Sequence, residues 1–175
     1  LVADAPRRTR ADGERDGSPW GDIALYTTIG FALVDVVLAS VLKRGDPWYH
    51  YAMMYAQSTA ITLVLTNITK IAVRRPRPEA YHEVQITGKS SPGTNSALSF
   101  FSGHAAISAT LAATATYMAF ARGSSPWEKW LTLAGGVLLN AFVGFRRIDD
   151  GKHFPTDVIV GSIVGAAVGV LVPHL

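Results

Sequence analysis

The stretch HFPTDVIVGSIVGAAVGVLV at 153–172 decides the fold. Val158 to Val172 holds no charged residue, and Gly161, Gly165 and Gly169 recur at every fourth position, which lines them along one helical face. Small residues at that spacing let helix backbones approach closely in a bilayer, where packing replaces the hydrophobic drive. Pro155 fits the first turn of such a helix, because the N–H it lacks is one that a helix start leaves unpaired anyway. Residues 155–172 therefore read as a membrane-crossing helix.

Working outward, four more apolar stretches precede it, each roughly the twenty residues needed to cross the hydrocarbon layer. They are Ile23 to Leu42, Tyr49 to Val73, His104 to Ala121 and Trp127 to Phe145, with Pro155 to Val172 as the last. The chain has 175 residues, 49% hydrophobic and 17% charged, a length that suits one domain. The expected fold is all-α: an integral membrane helical bundle with about five transmembrane helices. The competing reading is a soluble bundle with very apolar core helices, which the Ala- and Thr-rich third stretch fits and the uncharged, glycine-lined last stretch opposes. Trp48, Trp127 and Trp130 fall on one predicted membrane side, as an interfacial aromatic belt would.

Residues 1–20 differ in kind. Arg7, Arg8, Arg10, Asp12, Glu14, Arg15 and Asp16 are too polar to bury, and they read as a polar arm ahead of a single membrane-embedded domain over 21–175. Leu1 to Ala5 resembles the last residues of a signal peptide, with the expectation of a hydrophobic segment upstream. Cysteine is absent, which removes disulfides, thiolate nucleophiles and cysteine metal sites. The net charge of +3 points to anionic lipid or nucleic acid. Arg74, Arg75 and Arg77 end an apolar span with no stacking aromatics between them, which argues against nucleic acid.

If the spans alternate in direction, Lys70, the loop from Arg74 to Phe101, the start of the third span and the loop from Arg146 to His153 share one side. Pro76 and Pro78 stop the second span and stiffen the loop that carries Arg77. Arginine suits bidentate contact with phosphate oxygens, and lysine adds a compact charge. Ser102-Gly103-His104 opens a helix, where backbone N–H groups and the helix dipole favour an anion and Gly103 lets it approach. Ser102 reads equally as a simple N-cap. His104 stands where an imidazole can protonate a leaving oxygen. His153 and Asp157 are four apart on the first turn of the last helix, so the carboxylate can fix the tautomer of a nucleophilic ring, or serve only as a helix-start hydrogen bond.

Lys70 with Arg77-Pro78, then Ser102-Gly103-His104, then Arg147, His153 and Asp157, at these spacings and in this order, resemble the three-part signature of the type 2 phosphatidic acid phosphatase superfamily. That superfamily includes membrane lipid phosphatases, bacterial acid phosphatases and vanadium haloperoxidases, and the resemblance covers about residues 49–172. It implies a phosphatase core at one membrane face, with catalytic His153, His104 and Asp157. His153 would form a phosphohistidine, Asp157 would orient it, and His104 would act as general acid. Lys70, Arg77, Ser102, Gly103 and Arg147 would bind the phosphoryl oxygens, with no metal and no cofactor. Two positions depart from the usual pattern: Phe101 stands where Pro is common, and Arg146 where Ser is common.

The expected substrate is a membrane lipid phosphate or diphosphate, reached from the bilayer. The alternatives are phosphotransfer through the same intermediate and a non-catalytic lipid-phosphate binding or transport module. A haloperoxidase fits less well with so short and apolar a chain. Arg74, Arg75, Arg146, Lys89 and Lys152 add a basic rim, with Arg74, Arg75, Arg146 and Lys152 as candidate headgroup contacts. Asp149 and Asp150 beside His153 invite a metal reading that the neighbouring cations oppose. Asp35, mid-span, is expected to make an inter-helix hydrogen bond or to be protonated. His50, His82 and His174 read as surface or interfacial residues.

Sidedness sets two arguments against each other. Basic residues gather on the catalytic side, against only Lys43, Arg44, Arg122 and Lys129 on the other, and the positive-inside rule would put that side in the cytoplasm. The resemblance implies the opposite: a bacterial inner membrane protein whose site faces the periplasm. The phosphate-binding residues themselves inflate the count, and the expected orientation follows the resemblance. The oligomeric state cannot be read, because the Gly161, Gly165, Gly169 face can pack within one bundle.

Overall fold

A computed structural model describes residues 19–41, 47–78, 80–81 and 98–175. Most of the polar arm, Lys43, Arg44, His82, Gly88 and Lys89 lie outside the described residues. Among those described, the long elements are helices and there is no strand. We number them α1 (Trp20–Val41), α2 (Trp48–Val73), α3 (Gly103–Ala121), α4 (Pro126–Asp149) and α5 (Pro155–His174). Each contains one of the apolar stretches, and their lengths of 19 to 26 residues correspond to about 30–40 Å at 1.5 Å per residue.

Local chemistry sets the ends. Arg74 closes α2 in the left-handed conformation (φ 48°), its N–H donating to the Lys70 carbonyl at 3.0 Å, and Pro76 follows. Ser125 caps α4 by accepting the Glu128 N–H at 3.3 Å, with Pro126 in the first turn. In α5, Pro155 takes the first turn as expected, and the Asp157 carboxylate accepts the Phe154 N–H at 3.0 Å.

The radial distribution of residues is inverted relative to a water-soluble bundle. Ser58, Thr62 and Thr66 of α2 and Ser108, Thr110 and Thr114 of α3 are buried, while Phe31, Leu38, Val64, Ile68, Leu138, Phe142 and Ile163 face outward. Buried hydroxyls need partners, and the threonines find them: Thr62 Oγ1 meets Thr110 Oγ1 at 2.8 Å, and Thr66 bonds back to the Thr62 carbonyl at 2.7 Å. Such a surface is stable where the solvent is lipid. Three helices, α1, α4 and α5, are long and apolar enough to cross a membrane. The reading of five spans holds for α2 and α3 in length but not in apolarity. The reason is their position: α3 touches all four other helices, so its face is Ala, Ser and Thr rather than Leu.

The glycine stripe packs inward. A Cβ at Gly161 would lie 2.7 Å from the Ser102 carbonyl oxygen, at Gly165 2.1 Å from that of Ala106, and at Gly169 2.4 Å from that of Thr110. Thr110 and Thr114 donate across this contact to the carbonyls of Gly165 (3.0 Å) and Gly169 (3.1 Å). α3 and α5 thus meet backbone to backbone.

At the end of the bundle where α2 and α4 begin, exposed Trp48, Trp127 and Trp130 stand together with a charged knot. Arg122, just past α3, donates to Asp35 of α1 at 2.7 Å and to Glu128 of α4 at 3.3 Å, and Tyr55 of α2 donates to Asp35 at 2.9 Å. This is the inter-helix bonding expected of Asp35. The Arg122 side chain is only 8% exposed, and removing one partner of such a pair leaves the other desolvated. Arg122→Ala is therefore expected to lower stability by about 3–5 kcal/mol, read as a drop in the unfolding midpoint in detergent.

Candidate active site

The opposite end gathers the residues singled out from the sequence. Lys70 is in the last turn of α2, Gly103 and His104 in the first turn of α3, Arg147 in the last turn of α4, and His153 and Asp157 flank the start of α5. A Cβ on Gly103 would sit 3.6 Å from Lys70 Nζ and 3.4 Å from Thr66 Cγ2, ordinary contact distances that place the α3 start beside the lysine head. Ser102 is buried and caps α3, its Oγ 3.5 Å from the Ala105 N–H, while its own N–H donates to the Asp157 carbonyl at 3.0 Å. That bond ties the α3 start to the α5 start. Asn140 of α4 donates to the Ala105 carbonyl at 2.8 Å and braces the turn that carries His104.

Arg147 lies at the centre. Its Nη2 lies against the His104 ring, 2.8 Å from Nδ1 and 2.5 Å from Nε2, and its backbone carbonyl accepts the His153 N–H at 3.2 Å. One residue therefore touches both histidines. Asp22 of α1 completes the group, with Oδ1 2.8 Å from His104 Nε2 and 3.1 Å from Arg147 Nη2.

His153 is 5% exposed. Burial, reinforced by the charges of Lys70, Arg77 and Arg147 and opposed by Asp157, pushes its imidazole down to about 4. The ring is thus neutral at pH 7, with a free lone pair, which is the state a nucleophile needs. Asp157 Oδ2 approaches His153 Nδ1 to 3.7 Å, longer than a hydrogen bond, and Nδ1 has no hydrogen-bond partner among the described residues. The expected i, i+4 bond is replaced by proximity because the Asp157 carboxylate, itself fully buried, serves other donors. Arg75 Nη1 donates to Oδ1 at 2.7 Å, and Ser99 Oγ and the Phe154 N–H donate to Oδ2.

The candidate rim residues are placed unequally. Arg75 is committed to Asp157 and to Thr156 (2.9 Å), with its guanidinium 4.1 Å over the Phe154 ring. Arg146 turns to Asp149 and Asp150, and burial pushes the Asp150 carboxyl up against the opposing charge of Arg146. Arg74 is exposed and bonds its own helix end at the Ile71 carbonyl, 3.2 Å. Arg77 and Lys152 are half-buried in the two loops. Phe101, in the position where the pattern has Pro, is buried against Gly161. Among the described residues no group of three or more His, Cys, Asp or Glu side chains is placed to hold a metal ion.

Sequence reasoning missed Asp22, Ser99, Thr156 and Asn140. Asp22 carried one usable signal, an acidic residue in the first turn of an apolar span that opens on the site's side; the other three are unremarkable polar residues until the chain is folded.

A family model described as the PAP2 superfamily matches residues 51–175. A PA-phosphatase related-family protein of Dictyostelium discoideum is 28% identical over 86% of this chain and 58% of its own length. Phospholipid phosphatase 2 of Bos taurus is 31% identical over 64% of the chain and 46% of its own length. Phospholipid phosphatase 1 of Rattus norvegicus is 37% identical over 43% of the chain and 28% of its own length. The chain spans about half the length, or less, of these relatives, all of them eukaryotic. No solved structure matches it.

Proposed function

Since the chain belongs to the PAP2 superfamily, matched over residues 51–175, we propose that it is a lipid phosphatase: it hydrolyses a membrane lipid phosphate or diphosphate through a phosphohistidine on His153. The observation that carries this reading is Arg147, whose guanidinium meets His104 at a helix start and whose backbone carbonyl accepts the N–H of the buried, neutral His153. The names of the phospholipid phosphatases it resembles point to the same substrate class.

In the proposed reaction the lone pair of His153 Nε2, the ring nitrogen away from Asp157, attacks phosphorus. The bond from phosphorus to the ester oxygen breaks, its electron pair stays on that oxygen, and His104 delivers the proton that neutralises it. Water, deprotonated by His104, then attacks phosphorus, the bond to Nε2 breaks, and inorganic phosphate leaves with both histidines restored. Lys70, Arg77, Arg147, Ser102 and the Gly103 N–H hold the non-bridging oxygens as charge moves between them. These five donors, three of them cationic, give the charge compensation that a divalent ion gives elsewhere. Asp157, fixed by Arg75 and Ser99, keeps its carboxylate against the Nδ1 edge of His153.

The site is proposed to open at the extracytoplasmic membrane surface, the periplasmic side in a bacterial inner membrane. The support is the family resemblance.

The test is phosphate release by the purified full chain from a panel of phosphatidic acid, phosphatidylglycerol phosphate and undecaprenyl diphosphate, with EDTA present. Release from at least one lipid, unchanged by EDTA, is expected. Inactivity on all of them would favour the binding-module alternative, and loss of activity in EDTA would overturn the metal-free scheme.

A further inference from the structure

α1 lies wholly before the matched residues 51–175, yet its first turn reaches the centre of the site. Two separate features show that this end of α1 is fitted to it. Gly21 is buried, and a Cβ there would stand 3.3 Å from both Cδ and Nη1 of Arg147, so the absent side chain makes room for the guanidinium. Asp22, the next residue, places Oδ1 between His104 Nε2 (2.8 Å) and Arg147 Nη2 (3.1 Å).

The charges around the His104 ring are one carboxylate, Asp22 from α1, against two cations, Arg147 from α4 and Lys70 from α2. A proton donor must be protonated when the leaving oxygen departs, and two cations alone work against that state. The carboxylate also fixes the ring. With Nε2 held by Asp22, Nδ1 faces Arg147 Nη2 at 2.8 Å, beside the cation proposed to hold the phosphoryl oxygens.

We propose that α1 is part of the active site and that Asp22 is a positioning residue, orienting the His104 ring so that its proton goes to the leaving oxygen. This rests on the phosphatase reading above. The proton moves from the His104 ring to the oxygen that takes the electron pair of the broken P–O bond; Asp22 neither gains nor loses a proton. Its partners are the His104 ring and Arg147, and its effect reaches the substrate only through them.

A residue that acts through the proton donor matters most where the leaving oxygen is a poor leaving group. The experiment therefore compares kcat/KM on a dialkylglycerol phosphate, whose alkoxide leaves poorly, with p-nitrophenyl phosphate, whose phenolate leaves well, in the full chain in detergent. Asp22→Asn is expected to lower the alkyl value about tenfold while the aryl value stays within about twofold. His104→Gln should show the same selectivity, larger. Asp22→Glu keeps the charge on a longer arm and should show a smaller selective loss; it also serves as the readout if the Asn variant does not fold. Equal losses on both substrates in the Asp22 variants, with His104→Gln still selective, would reduce Asp22 to a structural ion pair and overturn the inference while leaving the phosphatase reading intact. Absence of wild-type activity on both substrates would overturn the phosphatase reading and this inference together.

Discussion

Replacing His153 by Gln is expected to lower turnover by at least about 10⁴-fold, since loss of a covalent nucleophile removes the first step and not merely its orientation. The same change should remove a phosphoenzyme that the wild type forms with ³²P-labelled substrate and that survives alkali but not acid. Gln is close to imidazole in size and keeps a polar end beside Asp157, so the fold is retained and the loss is chemical. Trapping of the labelled intermediate in the Gln variant would place the nucleophile elsewhere and sink the assignment. The wild-type ring is poised for this role by its surroundings. It is buried and held near 4 by Lys70, Arg77 and Arg147, so in the neutral range no proton has to be removed before it attacks.

The second large effect is expected at Gly165. A helix-interior Gly→Ala change is ordinarily favourable by up to about 1 kcal/mol. At Gly165 the new methyl would meet the Ala106 carbonyl oxygen at 2.1 Å and the Ala106 carbonyl carbon at 2.8 Å, both backbone atoms that cannot rotate aside. α3 and α5 must part, and the Thr110 to Gly165 and Thr114 to Gly169 bonds stretch with them. The clash outweighs the propensity gain, and a net loss of about 3 kcal/mol is expected, seen as a lower unfolding midpoint together with lost activity. Gly135→Ala is the control, because a Cβ there meets nothing within 4 Å. Equal stability of the two variants would show that the α3 and α5 contact yields more easily than its geometry indicates.

The helices were legible because the signal for a span is local: a run of apolar residues with its punctuation. Pro155, Ser125 with Pro126, and the prolines after Val73 set boundaries within a few residues of those read from the chain. The apolarity of α3 was less legible, since its residues answer to a central position that no window of sequence displays. The gathering of Lys70, His104, Arg147 and His153 followed from the alternation of spans alone.

What failed to show was the pairing of charges. Arg74, Arg75 and Arg146 look alike as basic residues next to a site, yet Arg75 is bound to a carboxylate 82 positions away and Arg146 to two carboxylates within its own turn. The second pairing has a sequence signal, opposite charges at i+3 and i+4. The first has none. His153 and Asp157 illustrate the same limit from the other direction, for correct helical spacing brought the groups to 3.7 Å, but competition from Arg75, Ser99 and Phe154 decided which donors the carboxylate took.

The backbone contact between α3 and α5 has a consequence for an enzyme that works in a fluid of variable thickness. Ser102 and His104 begin one of these helices, and His153 and Asp157 flank the beginning of the other. Lipid meets α5 only at outward residues such as Ile159 and Ile163, on the far side from the glycines. When the bilayer thins or stiffens, the outer apolar faces are the ones that respond, while the spacing between the proposed proton donor and the proposed nucleophile is gauged by main-chain atoms buried between the two helices.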